Sequence, residues 1–464
     1  MEVKVKSGKA HVLVVPFPGQ GHINPMLQFS RRLVSKELKV TFVTTNFIST
    51  SKQLGSSIGS VQLDTISDGY DDGRPAGTTM ESYLSRLHGV GPRSLLKLIE
   101  KYQSSTDPID CIIYEPFMAW ALDIAKHFGL LAAAFFTHAC AVDYIFYSFH
   151  SKLLMLPVTS TPVSISGLPI LLELQDLPSF IAAPGSYPAN FNMTMSQFSN
   201  MDKADFILIN TFYKLENEAV ETMSKCCPLL TIGPTIPSIY LDNGVENDDD
   251  YGLDLVTGDA ASISINWLGT KPAGSVVYVS FGSFGRPSKK QLEEISWGLK
   301  RSSFYFLWGV KATDDDEEPK VPPGFVEEEV AAKGLAVNWV PQVKVLASGA
   351  VGCFLTHCGW NSTIEALSLG VPMVAMPLWS DQPTNAKLVE DVWKVGIRAK
   401  PDENGIVNRE EIEFCVRQVM EDEKRGKEMR ENSKKWKQLA IEACSQGGTS
   451  DRSISDFVSK LPHR

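Results

Sequence analysis

Two titratable residues stand where the sequence predicts that parallel strands end. The strand predicted over His11–Phe17 runs into Gly-Gln-Gly-His22, and the strand predicted over Ile109–Tyr114 is followed by Glu115. Parallel strands bring their carboxyl ends to one edge of a sheet, where open α/β sheets bind ligands, so we expect His22 and Glu115 to be neighbours there. An imidazole oriented by a carboxylate can act as a general base. The structural alternatives are a histidine that only caps its turn and a carboxylate on a surface loop.

The glycines before His22 do not complete a dinucleotide-binding motif. Gly19-x-Gly21 supplies two glycines, but Asn24 occupies the third position, and no acidic residue closes the second predicted strand near Thr45. We interpret Asn24 as a helix cap, with Pro25 at the first position of a helix that ends at Ser35.

A second pattern predicts an anion-binding site. The strand predicted over Val351–Thr356 leads into His357-Cys-Gly-Trp-Asn-Ser362, and the helix that follows is expected to carry Glu365 in its first turn. Gly359 permits close approach of the backbone, and the unpaired amides at a helix start bind phosphate. His357 adds either a hydrogen-bond donor or a positive charge.

Two further features favour a nucleoside diphosphate over a simple anion. The turn Phe281-Gly-Ser283 follows another predicted strand and offers a second phosphate contact. Trp339 offers an aromatic surface on which a base could stack. Either glycine turn alone is common in α/β proteins, and a purely structural turn is the alternative for each.

The elements that must position these residues alternate regularly. Apolar β-rich runs and amphipathic helical runs follow each other through most of the 464 residues, a pattern typical of parallel βαβ units. The polar, acidic run Ile236–Asp250 interrupts it and is interpreted as a linker. We therefore predict an α/β protein of two doubly wound domains that face each other across a cleft.

Composition excludes several other classes. The formal charge of −10 argues against a nucleic-acid-binding surface, and eight cysteines without zinc-like spacing indicate reduced thiols. No apolar run reaches the roughly 20 residues that span a bilayer. The apolar stretch near the amino terminus is shorter than a signal-peptide core. We expect a cytoplasmic monomer with no membrane span and no nucleic-acid partner.

Two acidic segments raise the possibility of a metal-dependent enzyme. Asp248-x-Asp250 and Asp314-x-Asp316 have the spacing of a metal-binding DxD element. Neighbouring acids surround both pairs, and we interpret them, with Asp71-Asp72, as solvated loops. The predicted metal content is therefore none.

Taken together, the segment Trp339–Gln382 resembles the signature box of plant family 1 UDP-sugar glycosyltransferases. His22 matches their catalytic histidine, and the similarity extends along essentially the whole chain. It is strongest to the subgroup that glucosylates salicylate, thiohydroximates, steroids and triterpenoids. The resemblance implies a GT-B fold and inverting, metal-independent O-glucosyl transfer from UDP-glucose to a lipophilic plant metabolite such as a steroid, terpenoid or phenolic. Glucose ester formation on a small carboxylate and non-catalytic binding of a UDP-sugar are the alternatives.

The resemblance also implies domain roles and site residues. Residues 1–240 would bind the acceptor, 241–254 form the acidic linker, 255–446 bind the UDP-sugar, and 447–464 form a helix that crosses back onto the first domain. The expected catalytic pair is His22 and Glu115, although the family usually has Asp at the second position. The expected UDP-binding residues are Ser283, Trp339, Val340, Gln342, His357, Gly359, Asn361, Ser362 and Glu365. The expected sugar-binding residues are Thr137, Trp360, Asp381 and Gln382, of which Gln382 favours glucose over galactose.

The acceptor pocket is expected mainly in the amino-terminal half. Its candidates are largely apolar, although an aromatic residue at helical spacing also fits an ordinary core position. They are Phe17, Phe117, Trp120, His138, Phe146, Phe180, Phe198 and, from the second domain, Leu378 and Trp379.

Overall fold

The computed structural model describes residues 9–253, 260–310 and 333–462. These ranges contain one large, mainly parallel sheet in each half of the chain and a small antiparallel pair, and buried apolar side chains pack between the large sheets and their helices. The predicted α/β class with two doubly wound domains is confirmed.

The described part of the amino-terminal half, from residue 9 onward, contains ten strands and eight α-helices. The strands are β1 (His11–Val15), β2 (Lys39–Thr45), β3 (Ser57–Ile58), β4 (Val61–Ile66), β5 (Cys111–Tyr114), β6 (Leu131–Phe136), β7 (Val163–Ser164), β8 (Leu171–Leu172), β9 (Phe206–Ile209) and β10 (Leu229–Thr231). The helices are α1 (Gln20–Ser35), α2 (Asn46–Ser51), α3 (Met80–Gln103), α4 (Trp120–His127), α5 (Cys140–His150), α6 (Ser179–Ala182), α7 (Pro188–Ser196) and α8 (Asn217–Met223).

The described part of the carboxyl-terminal half contains six strands and eight α-helices. The strands are β11 (Val276–Ser280), β12 (Tyr305–Gly309), β13 (Gly334–Val337), β14 (Val351–Thr356), β15 (Met373–Ala375) and β16 (Gly396–Arg398). The helices are α9 (Ala260–Gly269), α10 (Lys289–Ser302), α11 (Gln342–Ala347), α12 (Trp360–Leu369), α13 (Gln382–Lys387), α14 (Arg409–Met420), α15 (Arg425–Cys444) and α16 (Thr449–Ser459).

The strand order of each sheet creates a crevice at one edge. The first sheet runs β10-β9-β6-β5-β1-β2-β4-β3, with only the β3–β4 pair antiparallel, and the second runs β13-β12-β11-β14-β15-β16 in parallel. Chain order reverses at the β1–β5 pair in the first sheet and at the β11–β14 pair in the second. Ligands of open α/β sheets bind at such switch points, so the loops after these four strands are the ones that can form a site.

The sequence pattern predicted the long buried strands but missed five short ones, which are β3, β7, β8, β10 and β16. β10 and β16 each span three residues, too few for a recognisable run of apolar residues. Both lie at a sheet edge, so they add to the width of the sheets without carrying a site loop.

The first helix begins earlier than predicted. Gly19 is its N-cap and α1 starts at Gln20, so His22 lies in the first turn, and the predicted cap at Asn24 is wrong. Pro25 is inside the helix instead of at its first position. As the sixth residue of α1, Pro25 lies beyond the first turn, and its missing N–H removes one intrahelical hydrogen bond.

The acidic linker is held against α1 instead of being fully solvated. Asp248 is buried and accepts hydrogen bonds from Gln28 Nε2 at 2.5 Å and from the Ser238 amide at 2.6 Å. Arg31 also approaches Asp248, at 3.2 Å. The interpretation of Asp248-x-Asp250 as a solvated loop is therefore wrong for Asp248, whose carboxylate is used structurally. Asp314-x-Asp316 lies outside the described residues.

The carboxyl-terminal helix α16 packs on the first domain. Phe457 contacts Phe206 of β9 with ring centroids 5.1 Å apart, and Ser450 Oγ donates to the Gly233 carbonyl at 2.6 Å. Lys36, the residue after the end of α1, pairs with Asp451 at 2.5 Å. These contacts tie the end of the chain to the sheet that carries His22.

Two further properties concern the whole described chain. No helix in the described ranges is long and apolar enough to cross a membrane. All eight cysteines are free thiols, and only Cys226 is exposed.

Candidate active site

The two switch points face one cavity of about 400 Å³. The first domain contributes the loops after β1, β5 and β6, and the second contributes those after β11, β13, β14 and β15. The linker contributes Asp249, Asp250 and Tyr251. The cavity is therefore formed by both domains together.

Glu115 contacts His22, which lines this cavity. The Glu115 amide bonds the Val15 carbonyl at 3.0 Å, which places Glu115 beside the carboxyl end of β1. Its carboxylate Oε1 lies 3.3 Å from His22 Nδ1, and Glu115 is only 1% exposed. The pair follows from the parallel register of β1 and β5, in which Val15 stands opposite Tyr114.

Neighbouring groups hold both members of the pair in place. Glu115 Oε2 accepts a hydrogen bond from the Phe117 amide at 3.0 Å, which caps the short 3-10 helix Pro116–Met118. Thr137 Oγ1 lies 3.1 Å from His22 Nδ1. The rings of Phe17 and Phe117 pack against the imidazole with centroids 5.3 and 5.4 Å away. The longer side chain of Glu, compared with Asp, therefore still reaches the histidine while it caps the next turn.

The phosphate-binding prediction maps onto the turns after β11 and β14. A Cβ on Gly282 or Gly359 would lie only 2.6 or 2.5 Å from His357 Nε2, so both positions require glycine for this packing. Cys358 adopts a left-handed conformation with φ of 61°, which turns the chain from β14 into α12. This is a cost of about 1–3 kcal/mol that the surrounding structure must offset, and such costs concentrate at functional sites.

His357 is neutral at pH 7 in this environment. It is 8% exposed, and burial lowers the pKa of its imidazole to about 4. Of the two roles considered for His357, a hydrogen-bond donor therefore fits the free protein and a positive charge does not.

The start of α12 also contacts the first domain. Asn361 Nδ2 donates to the Gly21 carbonyl at 2.6 Å, and Trp360 Nε1 donates to the Asn210 carbonyl at 2.8 Å. Because Trp360 is buried with its indole N–H already bonded, a sugar contact from this residue has to come from its backbone. Asn361 Oδ1 is buried and has no hydrogen-bond partner in the described structure.

The side chains expected at the ribose form a hydrogen-bonded group. Gln342 Nε2 donates to Ser362 Oγ at 2.9 Å and to Glu365 Oε2 at 2.8 Å, while Tyr278 donates to Gln342 Oε1 at 3.0 Å. Burial raises the pKa of Glu365 to about 7. Glu365 is the sixth residue of α12, so the expectation that it lies in the first turn is wrong.

The loop after β15 orients the two residues expected at the sugar. Gln382 Oε1 accepts from the amides of Leu378 and Trp379 at 2.8 and 3.1 Å. Asp381 Oδ2 accepts from Asn385 Nδ2 at 2.7 Å, and burial raises the pKa of Asp381. Trp339, Val340 and Ser283 also line the cavity, which brings every predicted donor residue to it.

The acceptor candidates divide into two groups. Those that line the cavity are Phe17, Phe117, His138, Phe180 and Trp379, and those that do not are Trp120, Phe146, Phe198 and Leu378. Phe146 lies one layer behind the wall, because its ring stacks on Phe180 at 6.4 Å. Phe198 packs on Phe136, and Leu378 is 36% exposed.

Two residues that the sequence reasoning missed also bear on the site. Gln20 lines the cavity and accepts a hydrogen bond from Ser283 Oγ at 3.1 Å, which joins the two domains next to His22. Its position in the glycine-rich turn, between Gly19 and Gly21, could have indicated that Gln20 belongs to the site. Asp143 contacts His138 at 3.3 Å, and nothing in its apolar surroundings on α5 indicated a role. In the described ranges, no three His, Cys, Asp or Glu side chains are grouped so as to hold a metal ion.

Comparison with known proteins gives the family. Residues 255–438 match the model described as UDP-glucuronosyl and UDP-glucosyl transferase, and residues 9–67 match a glycosyltransferase N-terminal domain. A flavonol 7-O-beta-glucosyltransferase of Arabidopsis thaliana is 50% identical over 98% of both chains. Mogroside I-E synthase of Siraitia grosvenorii is 45% identical over 98% of this chain and 99% of its own length.

Solved structures agree with the sequence relatives. The structure of Os79 from O. sativa with UDP has a TM-score of 0.89 and 37% identity, and covers 97% of this chain and 99% of its own. The same protein with U2F and trichothecene gives a TM-score of 0.86 at 36% identity, with the same coverage. This likeness confirms the GT-B arrangement of the two domains. The chain is an enzyme of the plant family 1 UDP-glycosyltransferases.

Proposed function

We propose that the protein transfers glucose from UDP-glucose to a hydroxyl group of a lipophilic plant metabolite, with inversion at the anomeric carbon and without a metal ion. The observation that carries this proposal is the contact of the buried Glu115 with His22, 3.3 Å apart, because His22 lines the same cavity as the Trp339–Gln382 segment. The acceptor class is a steroid, a terpenoid or a phenolic.

The proposed proton acceptor is Nε2 of His22. Glu115 and Thr137 both lie at Nδ1, so a proton on Nδ1 is stabilised there and the lone pair of Nε2 is left for the acceptor hydroxyl. As that oxygen attacks the anomeric carbon, its proton moves to Nε2. The Glu115 carboxylate stabilises the imidazolium that forms.

The bond between the anomeric carbon and the phosphate oxygen breaks in the same step. UDP leaves with that electron pair, and its new negative charge is placed at the start of α12. Amides at a helix start and the neutral His357 are donors that stabilise such a charge. Asn361 and Ser362 would add side-chain donors, and Gln342 and Glu365 would hold the ribose. Attack from the side opposite the phosphate inverts the configuration.

The lipophilic acceptor is supported by the wall of the cavity. Phe17, Phe117, Phe180 and Trp379 present aromatic surface to it. The printed names of the relatives include acceptors of this kind, a flavonol and a mogroside, and one structural neighbour contains a trichothecene. The family assignment makes the chain an enzyme, so the non-catalytic alternative is set aside. Transfer to a small carboxylate remains the second candidate.

A screen with UDP-glucose tests the proposal. The purified protein is incubated with steroids, triterpenoids, flavonoids, simple phenols and benzoates, and products are measured by mass spectrometry. We expect a hexose adduct that resists mild alkali and whose proton NMR spectrum shows a β-anomer. An alkali-labile product would indicate the ester alternative. Loss of activity in EDTA that manganese restores would contradict metal-independent transfer.

We also propose a cytoplasmic location. All eight cysteines are free thiols, which suits a reducing compartment. A fluorescent fusion of the full chain in plant cells tests this, and retention in the secretory pathway would contradict it.

A further inference from the structure

A second histidine–carboxylate pair lies on the acceptor side of the cavity, separate from His22. His138 follows β6 and lines the cavity, and its Nδ1 is 3.3 Å from Oδ1 of Asp143. Asp143 lies in the first turn of α5 and is completely buried, whereas the His138 side chain is 14% exposed. The carboxylate therefore orients the imidazole from behind, and the ring faces the cavity.

Nε2 of His138 takes no part in the reaction proposed above. None of the described residues is hydrogen-bonded to Nε2, which lies on the side of the ring away from Nδ1 and its carboxylate. The ring is flanked by Phe117 and Phe146, whose centroids lie 5.8 and 6.3 Å away. A polar donor thus stands in an aromatic part of the wall, and leaving such a donor unpaired when a ligand covers it is unfavourable.

The charges around the ring favour its protonated form. Burial lowers the pKa of His138, but the hydrogen bond and charge of Asp143 outweigh it and raise the pKa to about 9. Glu115 and Asp381 act in the same direction. These three carboxylates compensate the positive charge of the ring. His138 therefore acts as an N–H hydrogen-bond donor, and not as a net positive charge that would attract any anion.

We propose that His138 selects acceptors that carry a second oxygen function, by donating a hydrogen bond from Nε2–H to an oxygen other than the hydroxyl that receives the sugar. The class comprises hydroxylated compounds with a carbonyl or carboxylate oxygen within reach of this donor. His22 and His138 both lie within 6 Å of the Phe117 ring, so an aromatic acceptor packed there can face both histidines. Asp143 is a positioning residue for His138. This inference rests on the proposed function, because it assigns part of the same acceptor pocket.

Two matched series of phenols test the inference. The first contains 2-, 3- and 4-hydroxybenzaldehyde, and the second contains 2-, 3- and 4-methylphenol, which have similar size and lack the oxygen. The three hydroxybenzoates distinguish a carboxylate from a carbonyl. Affinity for the enzyme saturated with UDP is measured by titration calorimetry, and transfer is measured separately with UDP-glucose. We expect the oxygenated member of at least one isomer pair to bind about 10- to 100-fold more tightly.

The variants are chosen so that a folding defect cannot imitate the result. His138→Leu alone would leave Asp143 buried without its partner, so the test uses the double variant His138→Leu with Asp143→Leu, which removes both charges. His138→Gln keeps a donor at the position. His88→Leu changes an exposed histidine on α3 and serves as the matched control.

The readout is the ratio of the two series within each protein. We expect this ratio to fall close to one in the double Leu variant, to be partly retained in His138→Gln and to be unchanged in His88→Leu. A wild-type ratio near one, an unchanged ratio in the double Leu variant, or no binding of any probe overturns the inference. Preferential binding without any glucosyl transfer would instead contradict the proposed function and leave the role of His138 supported.

Discussion

The two walls of the cavity that we propose to bind the sugar donor and the acceptor, here called the donor wall and the acceptor wall, are built in different ways. Most of the donor wall comes from one continuous segment, Trp339–Gln382, whose polar side chains bond to each other before any ligand is present, as Gln342 does with Ser362 and Glu365. The acceptor wall comes from separate loops, and its rings meet edge to face, as Phe17 and Phe117 do at 5.9 Å.

This difference indicates that specificity for the acceptor can change independently of specificity for the sugar donor. A hydrogen-bonded wall is oriented in advance for one ligand, so a change at one residue affects its neighbours. Ring contacts depend on shape and buried area and tolerate substitution more easily. One scaffold can therefore keep its sugar donor while its acceptor varies.

The largest effect should come from the residue between the two walls. We expect His22→Ala to lower kcat by about 10²–10⁴-fold because the proposed general base is lost, while the Kd for UDP stays unchanged. Glu115→Gln should retain more activity than His22→Ala because it only weakens stabilisation of the imidazolium. Steady-state kinetics and calorimetry with UDP provide the measurement. An equal loss of UDP affinity would place His22 in the donor wall instead.

A smaller effect is expected from the acceptor wall alone. Phe180 stacks on Phe146 and meets Trp379 of the second domain edge to face at 5.8 Å. We expect Phe180→Ala to raise the acceptor KM about tenfold, equivalent to about 1.4 kcal/mol of binding, without changing the Kd for UDP. Leu153→Ala, at a position 64% exposed, is the matched control. A weaker UDP affinity in Phe180→Ala would show that the two walls are not independent.

The smallest effect should concern the donor wall alone, as a pH dependence of the affinity for UDP. Burial raises the pKa of Glu365 to about 7, so its carboxylate becomes protonated as the pH falls through 7. The ionised form is the one that would accept hydrogen bonds from the ribose hydroxyls. We expect UDP affinity to fall several-fold between pH 8 and pH 6, and Glu365→Gln to remove this dependence. Calorimetry across that range measures it. The same pH dependence in Glu365→Gln would assign the titration to another group.

Sequence reasoning brought all of the expected donor residues to the cavity but only some of the acceptor candidates, for a physical reason. His357, Gly359 and Glu365 lie in one strand–turn–helix unit, so their spacing in the chain already implies their neighbourhood in space. His22 and Glu115 are distant in sequence, but parallel pairing of adjacent strands brings them together. Both predictions needed only local periodicity and the rule for parallel sheets.

The remaining features depend on tertiary contacts that spacing does not record. Phe146 and Phe198 are aromatic residues in apolar parts of the sequence, as Phe117 is. They nevertheless lie behind the wall of the cavity because of the way in which α5 and the neighbouring loops pack. Asp248 belongs to an acidic run that suggested solvent exposure, but Gln28 and Arg31 of a distant helix bind its carboxylate. The role of Asp143 depends on the fold of one turn beside His138.

The proline inside α1 has a consequence for communication between the domains. In a helix, the amide of residue 25 would donate to the carbonyl of residue 21, but Pro25 has no N–H. The Gly21 carbonyl is therefore left without that partner, and it accepts instead from Asn361 Nδ2 at 2.6 Å. Because Pro25 lacks an N–H, a carbonyl in the helix of the proposed general base is left free to bind the helix that is expected to hold the diphosphate. A donor bound at Asn361 would therefore be linked through a single hydrogen bond to the turn that carries His22.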